Sequence, residues 1–132
     1  MNHAPIVLFT YKRLDTLKKT VEALQKNNLA TESDLFVFSD AAKTENDKQA
    51  IAEVRSFLKS ITGFKSVTIN EAAQNKGLAK SIINGVSKVL EDYDKVIVLE
   101  LSSAHEKEFP DKQKIFSEFN KIGVERFLVK EN

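Results

Sequence analysis

Short apolar runs alternate with stretches of helical periodicity through the first hundred residues of this 132-residue chain. The runs lie at residues 6–9, 35–38, 66–70 and 95–100. Runs of this length that are rich in β-branched and aromatic side chains are typical of buried strands. Strands that alternate with helices form a parallel sheet with right-handed crossovers. The pattern therefore predicts an α/β fold with an open, mostly parallel sheet and flanking helices.

The intervening stretches carry apolar residues at spacings of three and four, as on one face of a helix. Three such stripes are Leu14, Leu17, Val21 and Leu24; Ile51, Val54, Phe57, Leu58 and Ile61; and Leu78, Ile82, Val86, Val89 and Leu90. The run at 66–70 alternates polar with apolar residues, which favours an edge strand. The other runs are apolar enough to be interior. We therefore expect the strand order 3-2-1-4, with a topological switch point between the first and fourth strands.

Composition limits the classes of function that remain. A formal charge of +1 excludes a general basic coat for nucleic acid. The absence of Cys excludes disulfides, thiolate metal sites and a Cys nucleophile. No apolar run approaches the roughly 18–20 residues of a membrane-spanning helix, and residues 1–5 lack the features of a signal peptide. We expect a cytoplasmic protein, with any peripheral membrane association made through partners.

The length suits one domain, in which residues 1–100 form the core. The tail at 101–132 does not continue the alternation of apolar runs and helical stripes, and it begins with a polar linker over 101–108. Phe109, Ile115, Phe116, Phe119 and Ile122 predict an amphipathic helix, and residues 124–129 a short fifth strand. The role of this tail is open, and its Phe residues would suit a protein partner or a second copy of the chain.

Polar and charged side chains follow the first two strands. Thr10, Tyr11, Lys12 and Arg13 come after the first run, and Asp40 comes just after the second. In an open α/β sheet this edge, beside the reversal of strand order, is where ligands bind. The Tyr11 ring suits stacking on a planar base, Asp40 can accept a base N–H, and Arg13 suits phosphate. The alternative is that Tyr11 packs on the loop, Arg13 is solvated and Asp40 makes an Asx turn.

Two further places suggest chemistry. Gly77 opens the third helix, where backbone N–H groups suit an anion and the nearby Lys76 or Lys80 adds charge. An ordinary helix start beside a lysine explains the same residues. Glu100 ends the fourth strand and is a candidate for metal binding or proton transfer. A solvated carboxylate at the strand end is the alternative.

These segments together resemble the nucleotide-sugar-binding half of a GT-A-fold glycosyltransferase of the family-2-like type. The likeness covers about residues 4–100, and the matching segments are residues 5–15, 38–40, 75–78 and 96–100. The resemblance implies a Rossmann-like core that binds a nucleotide sugar, commonly a UDP-sugar, with a divalent metal, Mn or Mg. Family positions map the nucleoside to Thr10, Tyr11 and Arg13, the base to Asp40, the sugar diphosphate to Asn75, Lys76 and Lys80, and the metal to Glu100.

The chain departs from this family after the fourth strand. The family has an acidic motif of two or three carboxylates there, whereas Leu101 and Ser102 follow Glu100. The family also continues for a hundred residues or more, with the acceptor site and catalytic base, whereas 32 residues follow Glu100 here. Because the metal stabilises the leaving diphosphate, we expect nucleotide-sugar binding with weak or absent transfer. The alternative function is a non-catalytic α/β binding or protein-interaction module.

Overall fold

The computed structural model describes residues 4–100 and 128–131, which form five strands and three α-helices. The elements in chain order are β1 (Ile6–Thr10), α1 (Leu14–Gln25), β2 (Asp34–Ser39), α2 (Lys48–Leu58), β3 (Ser66–Glu71), α3 (Leu78–Val89), β4 (Ile97–Glu100) and β5 (Leu128–Glu131). Short 3₁₀ turns lie at Ala30–Glu32 and Glu45–Asp47. The tail helix expected from Phe109 to Ile122 lies outside the described residues.

The sheet is parallel throughout, with the order β3-β2-β1-β4-β5. The predicted α/β fold and the order of the first four strands are confirmed, as is the edge position of β3. The fifth strand, expected over 124–129, lies at Leu128–Glu131 and pairs with β4. The carboxyl ends of all five strands therefore lie on the same side of the sheet. Thr10, Ser39 and Glu71, at the ends of β1, β2 and β3, are paired in register there.

Side chains of β1 alternate between two apolar cores, one on each face of the sheet. Leu8 packs with the inner faces of α1 and α2, and Val7 and Phe9 pack with α3. Every residue of β1 is buried, as its continuous apolar run predicts. Strand β2 is interior to the sheet, as predicted, but its two faces differ in burial. Its Phe36 and Phe38 are only half-buried, because α3 is the single described helix that packs on that face.

The helix stripes predicted the buried faces correctly, and one predicted helix end was wrong. Helix α2 ends at Leu58, so Ile61, the last residue of its predicted stripe, lies beyond the helix. The chain turns tightly there, with the Ser60 N–H bonded to the Phe57 carbonyl and the Ile61 N–H to the Leu58 carbonyl. Gly63 has a φ of +92°, a left-handed conformation that favours glycine. None of the described helices is both long enough and apolar enough to cross a bilayer.

At the amino edge of the sheet, Asp34 is bound by two hydroxyl groups. The Ser66 hydroxyl donates to Asp34 Oδ1 at 2.6 Å, and the Tyr93 hydroxyl donates to Asp34 Oδ2 at 2.5 Å. Hydrogen bonds from Ser66 and then Tyr93 lower the pKa of Asp34. The bond to Asp34, together with burial, raises the pKa of Tyr93 to about 12. Both pKa shifts favour an ionised Asp34 that accepts a hydrogen bond from a neutral Tyr93 at neutral pH.

We expect Tyr93→Phe to lower the free energy of unfolding by about 1 kcal/mol at pH 7. The pair stabilises the fold above the unfolded pKa of Asp and below that of Tyr. Its contribution should therefore fall as the pH drops through the lowered pKa of Asp34, and again as the pH rises from about 10 toward 12. Urea denaturation of both proteins across pH measures this difference. A loss that does not change with pH would instead assign the effect to packing, since Phe keeps the edge contact of ring 93 with Phe36.

Candidate functional site

A cavity of about 420 Å³, here called the main cavity, opens at the carboxyl ends of β1 and β2. The described residues that line it are Phe9, Thr10, Tyr11, Lys12, Phe38, Asp40, Lys43, Asp47, Asn75, Gly77, Leu78 and Ser81. The cavity therefore brings together four of the predicted site residues, from β1, the end of β2 and the start of α3: Thr10, Tyr11, Asp40 and Asn75. Its size and its position at the strand ends suit a small-molecule ligand.

The carboxylate of Asp40 accepts hydrogen bonds from four donors of this chain. Oδ1 accepts the N–H groups of Ala41 and Lys76, each at 2.9 Å. Oδ2 accepts the Gly77 N–H at 3.0 Å and the Asn75 side-chain amide at 3.2 Å. A carboxylate offers about four lone-pair positions, and these donors occupy them. Asp40 thus fastens the start of α3 to the end of β2.

The N-terminus of α3 already binds a carboxylate of this chain. The N–H groups expected to meet a ligand anion belong to Lys76 and Gly77, and both point to Asp40. The carboxylate thereby occupies the favourable position for negative charge at the helix N-terminus. Recognition of a base by Asp40 stays a prediction, and it requires a base N–H to share an oxygen already bonded to the loop.

The hydroxyl of Tyr11 holds the connection between β2 and α2 against the cavity. It donates to Asp47 Oδ2 at 2.8 Å and accepts the Lys43 N–H at 2.8 Å. Lys12 Nζ lies 3.1 Å from the other oxygen of Asp47. Burial is the largest cause that raises the pKa of Tyr11, while the hydrogen bonds from Tyr11 and Lys12 lower the pKa of Asp47. The alternative that Tyr11 packs on the loop therefore holds for its hydroxyl, which accepts the Lys43 N–H, while the residue also lines the main cavity.

Thr10 supplies the most unusual polar group of the site. The residue is 2% exposed, and its Oγ1 is the one buried side-chain polar atom without a hydrogen-bond partner among the residues described. A buried polar group without a partner costs about 1–3 kcal/mol, and native structures contain few of them. Thr10 also lines the main cavity, so this hydroxyl lies in the wall of the cavity, where a ligand could reach it only after a small local shift.

Arg55 of α2 binds the strand ends and the loop that form the site, a role that the sequence analysis missed. Its Nε donates to Ser39 Oγ at 3.0 Å, and its Nη2 donates to the carbonyls of Ser39 and Ala72 at 3.1 and 3.0 Å. Nη1 lies 3.7 Å from Glu71 Oε1. Arg55 therefore ties α2 to the ends of β2 and β3, and to the loop that leads to Asn75.

The remaining predicted residues are not among those that line the main cavity. The Arg13 carbonyl accepts the Leu17 N–H where α1 begins, and Lys80 is exposed in the first turn of α3. Lys76 lines a neighbouring cavity. Glu100 pairs with Phe9 in the sheet, so its backbone lies at the same edge as Thr10. Within residues 4–100 and 128–131, no three His, Cys, Asp or Glu side chains converge as metal ligands, and the metal at Glu100 stays a prediction.

Three comparisons with known proteins give no relative for this chain. No protein-family model matches it, and neither the curated proteins nor the solved structures contain a significant match.

Proposed function

We propose that the main cavity binds a nucleotide sugar, with a UDP-sugar as the first candidate, in a glycosyltransferase-like domain. The observation that carries the proposal is that Thr10, Tyr11, Asp40 and Asn75 line one cavity at the strand ends, where the buried Thr10 hydroxyl has no partner among the described residues. The same wall includes Tyr11, whose ring suits a base, and Lys43 at the rim. These groups lie beside the reversal of strand order between β1 and β4, where α/β sheets bind nucleotides.

Transfer of the sugar is proposed to be weak or absent in this chain. A divalent cation on the diphosphate would supply electrostatic stabilisation of the leaving group. One carboxylate, Glu100, stands at the end of β4 where the resembling enzymes have two or three, and Leu101 and Ser102 follow it. The proposal is therefore for a binding function, with manganese or magnesium as the expected cofactor if the single carboxylate retains it.

Calorimetric titration with UDP and UDP-sugars, with and without manganese, tests the binding proposal. We expect saturable binding in the micromolar to millimolar range, and a preference for UDP over CDP if a carboxylate reads the base. Uracil presents an N–H at position 3, whereas cytosine presents a lone pair that a carboxylate repels. No heat at millimolar nucleotide would overturn the nucleotide assignment. Efficient sugar transfer by the purified chain would overturn only the proposal that transfer is weak.

The alternative, a non-catalytic interaction module, depends on the Phe-rich tail, which lies outside the described residues. Within the described part, Leu29 is the one exposed large hydrophobic side chain, at 46%. A single exposed Leu is normal for a protein surface and does not mark an interface. Light scattering that shows mass increasing with concentration, together with no nucleotide binding, would favour the interaction module.

A further inference from the structure

A second cavity, of about 250 Å³ and here called the side cavity, lies next to the main cavity at the ends of β2 and β3. The two cavities share Phe38, Asp40 and Ser81, and the side cavity extends along α3 to Asn84 and Lys88. Ligand sites for drug-sized molecules usually exceed about 300 Å³, so this space suits one smaller group. Neither the sequence motifs nor the proposed nucleotide position uses this space as a whole.

The charges that line the side cavity favour an anion. Lys76 and Lys88 both line it, and neither forms an ion pair with a described carboxylate; Lys88 Nζ donates to the neutral amide of Asn70 at 3.3 Å. Groups of this chain already satisfy the lone pairs of one carboxylate in its wall and balance the charge of the other. Asp40 accepts four hydrogen bonds from the chain. Glu71 lies 3.7 Å from the guanidinium of Arg55.

The neutral groups of the side cavity suit a hydroxylated molecule. Ser81, Asn84 and Asn70 place a hydroxyl and two amides in its wall, and these groups can both donate and accept hydrogen bonds. The Phe38 ring, Ala72 and Gly85 are the apolar part of the lining. A Cβ at position 85 would lie 2.8 Å from Phe9 Cε1 and 3.2 Å from Phe38 Cδ2, so glycine lets the helix approach both rings closely.

The wall formed by the strand ends is held in place before any ligand binds. Arg55 bonds the carbonyls of Ser39 and Ala72, and Asp40 bonds the N–H groups of Lys76 and Gly77. A site whose backbone is already fixed loses less entropy on binding. We propose that the side cavity binds a small hydroxylated anion of the sugar-phosphate class, independently of whether the main cavity binds a nucleotide.

An NMR titration of the full chain with glucose 6-phosphate tests this proposal. We expect amide shifts at Asn84, Gly85 and Lys88, which line the side cavity and not the main cavity, an affinity that falls as salt is added, and no such shifts with glucose. Lys88→Gln should weaken binding about three- to fivefold, the size of one exposed ion pair. Lys95→Gln is the matched control, because Lys95 is an exposed lysine just before β4, at the opposite edge of the sheet.

Three results would overturn the proposal: no shifts at tens of millimolar glucose 6-phosphate, equal affinity in Lys88→Gln and wild type, or equal binding of glucose. Asn84→Ala provides a second test that does not alter charge, and it too should weaken binding, since the amide lines the cavity. Both side chains are exposed on α3, so neither variant is expected to affect folding. Titration with UDP reports on the main cavity separately, so failure of one proposal is distinguishable from failure of the other.

Discussion

Asp40→Ala is expected to lower the free energy of unfolding by about 2–3 kcal/mol and to abolish nucleotide binding. The substitution removes a carboxylate that accepts hydrogen bonds from Ala41, Asn75, Lys76 and Gly77. The start of α3 then loses its anchor on β2 and also the negative charge at its N-terminus. Urea denaturation monitored by circular dichroism measures the first effect, and calorimetry with UDP measures the second.

Asp94→Ala is the matched control for this prediction. Asp94 is an exposed aspartate in the turn before β4, at the opposite edge of the sheet, and its substitution should change stability by less than about 0.5 kcal/mol. A wild-type unfolding curve for Asp40→Ala would show that the four hydrogen bonds do not fasten α3 in solution. Binding that survives in a fully folded Asp40→Ala protein would exclude Asp40 as a base contact.

Loss of binding in Asp40→Ala does not by itself assign a base contact, because the loop that lines the cavity is also released. Asn75→Ala separates the two roles. It removes the single donor that comes from a side chain and leaves the three backbone N–H groups on Asp40. If Asp40 reads the base, Asn75→Ala should keep the preference for UDP over CDP, since one oxygen position becomes available to the uracil N–H. Equal affinity for the two nucleotides in the wild type would place Asp40 in a purely structural role.

The sheet was predictable because the burial of a strand determines which types of residue it contains. A strand covered on both faces, such as β1, needs apolar residues throughout, whereas the edge strand β3 tolerates alternation. These two patterns were enough to predict the order of four strands, since parallel crossovers leave few topologies. The half-buried face of β2 was not predictable, because Phe36 and Phe38 are as apolar as core residues and their exposure depends on which helix covers them.

The contacts of the site were less predictable because backbone groups make most of them. Asp40 and Gly77 were both identified from the sequence, as a base contact and as an anion site. They bind each other across 37 positions of the chain, through an N–H group that every residue except proline carries. Arg55 likewise binds two carbonyls, and its position in an amphipathic helix gives no sign of this. Sequence reasoning therefore found the edge of the sheet where the site lies, and could not find the network that shapes it.

Thr10→Val is expected to change stability and binding in opposite directions. The substitution replaces a buried hydroxyl that has no described partner with a methyl group, which should raise the free energy of unfolding by about 1 kcal/mol. If a ligand in the main cavity uses that hydroxyl, the affinity for UDP should fall about tenfold, as expected for one lost hydrogen bond in a buried site. Urea denaturation and calorimetry on the same preparations measure the two effects.

Thr10→Ser is the matched comparison, because it keeps the hydroxyl and removes the methyl group. Serine at position 10 should lower stability by about 1 kcal/mol through lost apolar burial, yet bind UDP within about threefold of the wild type. A protein optimised only for folding would have valine at this place, since β1 is otherwise apolar and fully buried. A valine variant that is less stable than the wild type and binds UDP equally well would show that the hydroxyl serves the fold. A valine variant that is more stable than the wild type and binds UDP more weakly would show that the chain retains an unsatisfied group for its ligand.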